Sequence, residues 1–314
     1  MVIKGVVLKS TGSEYDVLLD SGKSCTARLR GKFRIKGIKT TNPVVVGDVV
    51  SVTTENNDSF YSIVGIDDRK NYIIRKSIRL SKISHIIASN IDKAFLVVTL
   101  SSPRTSSGFI DRFLTAAEAY RIPVEIVFNK IDLYNEQEIA LLDELIDRYS
   151  KLDYPCFKTS VIENIGLEAV RDSMKDKKSL ISGHSGVGKS TLINSLEPDL
   201  NIKIGEISDA HLKGKHTTTF AQMHPLSFGG FIIDSPGIKE FGLIDYSKNE
   251  IGHYFREIRD KMNMCKYNNC THNHEPGCAV KEAVEKGEIS KIRYKNYLSI
   301  LNDENMDIQS WELE

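Results

Sequence analysis

Short apolar runs separated by turn residues fill the first 68 positions. Gly5-Val6-Val7-Leu8 and Tyr15-Asp16-Val17-Leu18-Leu19 flank Thr11-Gly12-Ser13. Asp20-Ser21-Gly22-Lys23 then reads as a turn, residues 24–30 alternate, and residues 44–52 and 60–64 continue the pattern. Several short strands at this spacing, closing within about 70 residues, predict a small β-barrel, most simply of OB type.

From Phe95 onward the texture changes to strands alternating with helical stretches, which predicts an α/β domain with a mostly parallel sheet. Residues 95–100 form a buried-strand run. Ile110, Phe113, Leu114, Ala117 and Tyr120 then recur at helical spacing behind a cap at Ser107 or Gly108. A second strand at residues 124–128 runs into Asn129-Lys130-Ile131-Asp132. An acidic amphipathic helix over 136–149 shows Ile139, Leu142, Leu145, Ile146 and Tyr149 on one side, and residues 156–161 read as another strand ending in a polar turn. Helices over 279–285 and 290–301 close the chain, the latter expected to expose Lys291, Arg293 and Lys295.

Composition narrows the class. The 314 residues allow two or three domains, and their formal net charge is zero with 27% charged and 40% hydrophobic residues, as expected of a soluble globular protein. No apolar stretch approaches the ~18 residues of a membrane span, and the opening residues are interrupted too early for a signal peptide. Of five cysteines, three cluster with histidines near the C-terminus, which suits metal binding in a reducing compartment, the cytoplasm, better than disulfides.

The neutral total hides local segregation. Seven basic residues (Lys23, Arg28, Arg30, Lys32, Arg34, Lys36 and Lys39) and no acidic one lie between Ser21 and Thr40, and Arg69, Lys70, Arg75, Lys76, Arg79 and Lys82 follow. On a barrel, such a stretch is either a solvated loop or an RNA-binding face, and RNA is the expectation, with Arg28, Arg30 and Lys32 as its residues.

The most informative stretch is Gly183-His184-Ser185-Gly186-Val187-Gly188-Lys189-Ser190-Thr191, preceded by the short apolar run Leu180-Ile181 and followed by helical spacing. Glycines let successive N–H groups point at one anion, and the helix N-terminus adds its dipole. Lys189 would reach the outer phosphates and the Ser190 hydroxyl would sit on Mg²⁺. The strand-end Asn129-Lys130-Ile131-Asp132 selects the base. The Asp132 carboxylate can accept from guanine N1–H and its exocyclic amine, a donor pair adenine lacks. Asn129 would bond the other edge, Lys130 would flank the ring, and Thr159-Ser160-Val161 fits the turn whose backbone meets guanine O6.

Beyond the loop, Asp234-Ser235-Pro236-Gly237 ends a strand, with Asp234 near Mg²⁺ and the Gly237 N–H near a γ-phosphate. Between them His216-Thr217-Thr218-Thr219 reads as a switch whose Thr218 or Thr219 completes the Mg²⁺ shell. Ile238 stands where many such enzymes carry a water-orienting glutamine. His216 is therefore the candidate for that role, unless it is simply a solvent-facing loop residue. These parts come in rotated order: base-reading motifs first, phosphate loop next, switches last. Cys265, Cys270, His272 and Cys278 follow, three thiolates and an imidazole that would close one structural zinc site, with His274 as a rival ligand.

Across essentially the whole chain, the barrel, the rotated motifs and the C-x₄-C-x-H-x₅-C module resemble the ribosome small-subunit-dependent GTPase A family (RsgA, also YjeQ or YloQ). The resemblance implies an OB-fold RNA-binding barrel over 1–68, a basic linker over 69–90, a circularly permuted GTPase domain over 91–245 and a helical zinc-binding domain over 246–314. It further implies GTP hydrolysis stimulated by the 30S subunit during its late maturation, contacts with 16S rRNA, and a cytoplasmic protein acting as a monomer away from membranes. A GTP-regulated RNA-binding module with negligible hydrolysis is the alternative from another class. A metabolic P-loop kinase has no use for the Asn129–Asp132 turn.

Overall fold

The computed structural model describes residues 2–29, 43–54, 61–76, 84–200, 221–234 and 247–302. Its contacts divide the chain into two compact units, one drawing on residues 1–95, 167–185 and 189–240, the other on 96–166, 186–188 and 241–314.

The first unit begins with five strands: β1 (Val2–Ser10), β2 (Tyr15–Leu19), β3 (Ser24–Leu29), β4 (Val49–Thr53) and β5 (Tyr61–Ile66). β1 pairs antiparallel with both β2 and β4, β2 with β3 and β4 with β5, and a parallel β3–β5 pairing completes the circuit. This OB-like barrel leaves none of the five with a free edge. Val7, Tyr15, Val17, Leu19, Ala27, Val50, Val52 and Ile63 fill its interior. Alternation along each strand put those residues on one face.

The strand expected over 44–52 is shorter than its apolar run suggests. Asp48 is fully buried and its carboxylate accepts from the Val45 N–H at 2.9 Å, so residues 45–48 form a turn, although the Gly47 N–H and the Asp48 carbonyl still bond Val7 of β1 at 2.9 Å each. The same carboxylate takes Arg69 Nε and Nη2 at 2.7 Å each and the Ser89 hydroxyl at 2.6 Å. Arg69, counted among the basic residues available to RNA, is thus consumed inside the fold. The 69–90 stretch is also more than a linker, because β6 (Tyr72–Lys76) and β7 (Ser84–Ser89) form an antiparallel ribbon there.

The remainder of this unit holds α3 (Leu167–Met174), β11 (Lys178–Ser182), α4 (Lys189–Leu196), β12 (Gln222–Pro225) and β13 (Phe231–Asp234). β11 and β13 are parallel, and β12 runs antiparallel to β13 and meets β1 at Lys9↔Gln222.

The second unit contains the inner half of β8 (Lys93–Val98), then α1 (Ser107–Ala119), β9 (Val124–Asn129), α2 (Glu136–Ser150) and β10 (Cys156–Thr159). β9 lies between β8 and β10 and is parallel to β10. Ser106 caps α1 by accepting from the Phe109 N–H, and Asn135 and Glu138 form a reciprocal capping box on α2. α5 (Lys248–Ile251), α6 (Arg256–Met262), α7 (Ala279–Glu285) and α8 (Lys291–Leu301) complete the described residues. Ile251, Phe255, Ile258, Val280, Ala283, Tyr297 and Ile300 form their core.

Lys291 and Lys295 are exposed on α8 as expected, but Arg293 is not: it is 1% exposed. Helical spacing puts it on the same stripe as Tyr297, Ile300 and Leu301, and it meets carboxylates there instead of water. Among the described residues no helix is long and apolar enough to cross a membrane.

Candidate nucleotide and metal sites

The phosphate-loop segment joins β11 to α4, and its residues are divided between the two units. Gly183, Gly186 and Gly188 all have positive φ, at 142°, 85° and 94°, so the loop's curvature depends on them. Lys189 opens α4. It is 6% exposed, and its ammonium donates to the carbonyls of Gly183 at 2.8 Å and His184 at 2.6 Å. Ser190 beside it is equally buried at the helix N-terminus, whereas Thr191 points to solvent.

Within the second unit, the residues expected to read the base converge on Asn129, the last residue of β9. Its Nδ2 donates to the Val187 carbonyl at 2.9 Å, and its Oδ1 accepts from the Thr159 hydroxyl at 2.9 Å. Two motifs that sequence reading treated separately are therefore tied through one 2% exposed amide. Gly188 shows how close the approach is: a Cβ there would lie 2.5 Å from Asn129 Nδ2. The other Nδ2 hydrogen of Asn129 has no partner among the described residues.

Lys130 adopts the left-handed conformation (φ 62°) and its ammonium reaches the Ser102 carbonyl at 2.8 Å. Ile131 and Asp132 start a 3-10 turn, Ile131–Leu133. The Asp132 carboxylate is half-buried and makes no hydrogen bond to any described residue. Ser160 is fully buried, but its N–H is committed to the Ile165 carbonyl at 3.1 Å and its hydroxyl accepts from the Glu163 N–H at 3.1 Å. The N–H groups of Val161 and Ile162 at this turn make no hydrogen bond to a described residue.

Asp234 ends β13, paired across the ladder with Gln222. His216, Thr218, Gly237 and Ile238, and Arg30 and Lys32 of the expected RNA face, lie outside the described residues. Arg28 sits on β3 and pairs with Glu14 at 2.7 Å.

The C-terminal cluster gathers as its spacing suggested. One donor atom from each of Cys265, Cys270, His272 and Cys278 lies within 4.8 Å of the others. Cys265 Sγ and Cys278 Sγ are 3.9 Å apart, and each is 3.5 Å from His272 Nδ1. Around a tetrahedral ion with metal–sulfur and metal–nitrogen bonds of ~2.3 and ~2.0 Å, those separations would be roughly 3.8 and 3.5 Å, so Cys265, His272 and Cys278 are spaced as three ligands of one ion, with Cys270 close by. His274 is exposed and stands apart from the cluster, which removes it as a rival.

Burial and the neighbouring thiols push the Cys270 thiol up to about 12, a cost that a cation holding thiolates would reverse. Burial likewise lowers the His272 pKa, keeping its imidazole neutral as a ligand must be.

Residues with no motif signature hold this knuckle in place. The Glu275 carboxylate accepts from the Thr271 N–H and hydroxyl, the Asn273 N–H and the His274 N–H. Burial works against its charge, but these donors outweigh that and hold its pKa down at about 2. From α8, Tyr294 OH donates to the His272 carbonyl at 2.6 Å and Tyr297 OH to that of Thr271 at 2.7 Å. Two tyrosines three residues apart, next to a cysteine cluster, were the only sequence hint of this support.

Comparison with known proteins gives one answer over the full length. A family model described as RsgA GTPase matches residues 66–244, and one described as RsgA N-terminal domain matches residues 4–61. The "Small ribosomal subunit biogenesis GTPase RsgA" of Phocaeicola vulgatus is 53% identical over 301 residues, covering 96% of this chain and 97% of that one. "Small ribosomal subunit biogenesis GTPase RsgA 2" of Bacteroides thetaiotaomicron is 55% identical over the same shares.

Among solved structures, YjeQ from Thermotoga maritima superposes with a TM-score of 0.78 at 36% identity, covering 96% of this chain and 98% of that one. YloQ, described as a circularly permuted GTPase, gives 0.76 at 30% identity, with 96% and 95% covered. The barrel and the rotated motifs agree with these likenesses, and the chain belongs to the RsgA family of GTPases.

Proposed function

We propose that the chain hydrolyses GTP to GDP and phosphate and acts in the biogenesis of the small ribosomal subunit, the activity its full-length relatives carry in their names. The observation that carries the nucleotide half of this reading is the Asn129 amide. It ties the end of β9 to the phosphate loop through Val187 and to the Thr159–Ser160 turn. Three separate sequence segments that serve one ligand need such a mutual brace.

In this reading Asn129, Lys130, Ile131 and Asp132 hold the guanine with the turn at Ser160. Residues 183–191 wrap the phosphates, with Lys189 neutralising charge as it builds. The nucleotide brings Mg²⁺, whose ligands are Ser190, Asp234 and Thr218 or its neighbour Thr219. The Gly237 N–H senses the γ-phosphate. His216 orients the attacking water, a role its place in the switch segment supports because Ile238 has no group that could do so.

The ion at Cys265, Cys270, His272 and Cys278 is zinc. Three soft thiolates and one imidazole in a tetrahedral shape favour it, and with four protein donors no open position remains for chemistry. Its contribution is to the folding of the 265–278 knuckle.

We assign the chain four parts: a barrel over 1–68 that contacts 16S rRNA through Arg28, Arg30 and Lys32, a connection over 69–90, the permuted GTPase over 91–245 and the zinc module over 246–314. The protein works as a monomer in the cytoplasm, with the 30S subunit as its partner. The deciding experiment is GTP turnover by purified protein alone, with 30S subunits and with 50S subunits. Stimulation by 30S alone supports the proposal. GTP-dependent 30S binding without turnover would support the non-hydrolysing alternative.

A further inference from the structure

Tyr134 belongs to none of the nucleotide motifs, yet it closes the one that reads the base. Its ring is 8% exposed. The hydroxyl accepts from the Leu100 N–H at 2.9 Å and donates to the Asn129 carbonyl at 2.9 Å. Leu100 lies just beyond β8 and Asn129 ends β9, and these strands are neighbours. Past their ends the ladder stops, and the phenol stands between the Leu100 donor that follows one strand and the Asn129 acceptor that ends the other. Ligand crevices of α/β sheets open at such carboxyl ends, where neighbouring strands part.

The local chain geometry gives this bridge a second consequence. From Asn129 the backbone turns left-handed at Lys130, and the Leu133 N–H then bonds the Lys130 carbonyl at 3.0 Å. The Tyr134 N–H bonds the Ile131 carbonyl at 3.2 Å. The Tyr134 side chain folds back onto Asn129, so residues 129–134 form a closed ring with Asp132 in its middle. Nothing else among the described residues holds the Asp132 carboxylate by a hydrogen bond. Its placement depends on the ring. Burial pushes the Tyr134 hydroxyl up to about 12, so the proton it donates is present at any working pH.

We propose that Tyr134 is a positioning residue for the guanine base: by tying the Asn129 carbonyl to the Leu100 N–H, it holds the 129–134 ring so that Asp132 meets the base's N1–H and exocyclic amine together. This rests on the guanine-nucleotide reading given above. A tyrosine that merely satisfied two buried backbone groups would affect stability and all nucleotides alike. One that positions Asp132 affects most the ligand using both carboxylate contacts.

The test uses the full-length chain and its Tyr134→Phe variant, titrated with GDP, with inosine diphosphate, which keeps N1–H but lacks the amine, and with ADP. Wild type should prefer GDP over both. The variant should bind GDP about tenfold more weakly and inosine diphosphate with a smaller loss, so that the ratio between them falls. In turnover, KM for GTP should rise while kcat changes by less than about twofold, since the phosphate end is untouched.

Equal losses for GDP and inosine diphosphate, or a fall in kcat at unchanged KM, would overturn the positioning role. A wild type without guanine preference would instead reject the nucleotide reading itself. Should the Phe variant not fold, amide exchange at Leu100 in the wild type decides. Protection that deepens when GDP binds supports the role, and exchange indifferent to GDP overturns it.

Discussion

Arg293 Nη1 donates to Asp111 Oδ1 at 2.6 Å, between side chains 182 positions apart that are both sealed from water. Asp111 lies on α1 and Arg293 on α8. The guanidinium also grips Glu257 of α6 through Nε at 2.7 Å and Nη2 at 3.0 Å, while Asn296 Nδ2 and Tyr149 OH complete the Asp111 carboxylate at 2.6 and 2.9 Å. Burial pushes the Asp111 carboxyl above its usual range, while the donors Arg293, Asn296 and Tyr149 pull the other way and favour the anion. The cluster pins the C-terminal helices to the two helices flanking the base-reading strands. Removing one partner of a buried, hydrogen-bonded pair leaves the other stranded. Arg293→Met should therefore lower stability by about 3–5 kcal/mol. A shift in the urea midpoint within that of an ordinary surface substitution would contradict it. Adding Asp111→Asn to the Met variant should recover part of the loss, because the stranded charge is gone.

Nucleotide choice should follow Asp132. Asp132→Asn replaces a double acceptor by a donor–acceptor pair that suits xanthine, whose edge carries a carbonyl where guanine has an amine. Preference should move from GDP towards xanthosine diphosphate in a calorimetric titration. Equal affinity of the wild type for GTP and ATP would refute the role of this turn.

Metal uptake by the C-terminal knuckle should release protons, those of Cys270 and Cys278 among them, because burial raises both thiols and keeps them protonated without a cation. The sign follows directly: affinity falls as pH falls, since protons compete with the ion for these thiolates. Calorimetry in buffers of different ionisation enthalpy counts the protons. Cys278→Ser should lose the ion and the local fold. No stoichiometric zinc in purified protein would exclude this assignment.

The barrel's RNA contact should carry a salt signature. Reversing Arg28, Arg30 and Lys32 to Glu should weaken 30S binding and flatten its dependence on salt, because fewer counterions are released. Glu14 competes intramolecularly for Arg28, so Glu14→Gln should act in the opposite direction. Binding that is unchanged by the triple reversal across a salt series would move the RNA surface off this stretch.

The sequence by itself determined the chemistry and the kind of elements that carry it. Phosphate loop, base-reading turn and metal module are contiguous stretches whose residue types follow from local needs: curvature at Gly183, Gly186 and Gly188, an acceptor at Asp132, soft donors at fixed spacing. Helix α7 begins and ends where its amphipathic pattern does, and β2 matches its apolar alternation residue for residue. Tertiary structure decided whatever depends on a partner far along the chain. The 44–52 run looked like one strand, but its first half folds into a turn around the Asp48 carboxylate, where Arg69 and Ser89 converge. Arg293 looked like a surface cation until Asp111 and Glu257 gave it somewhere to be buried. Tyr134 belongs to no motif, and its bridge exists only because the fold brings Leu100 beside Asn129. In each case the local sequence allowed two outcomes of similar cost. A buried polar group must find its hydrogen bonds, and only the folded chain brings them.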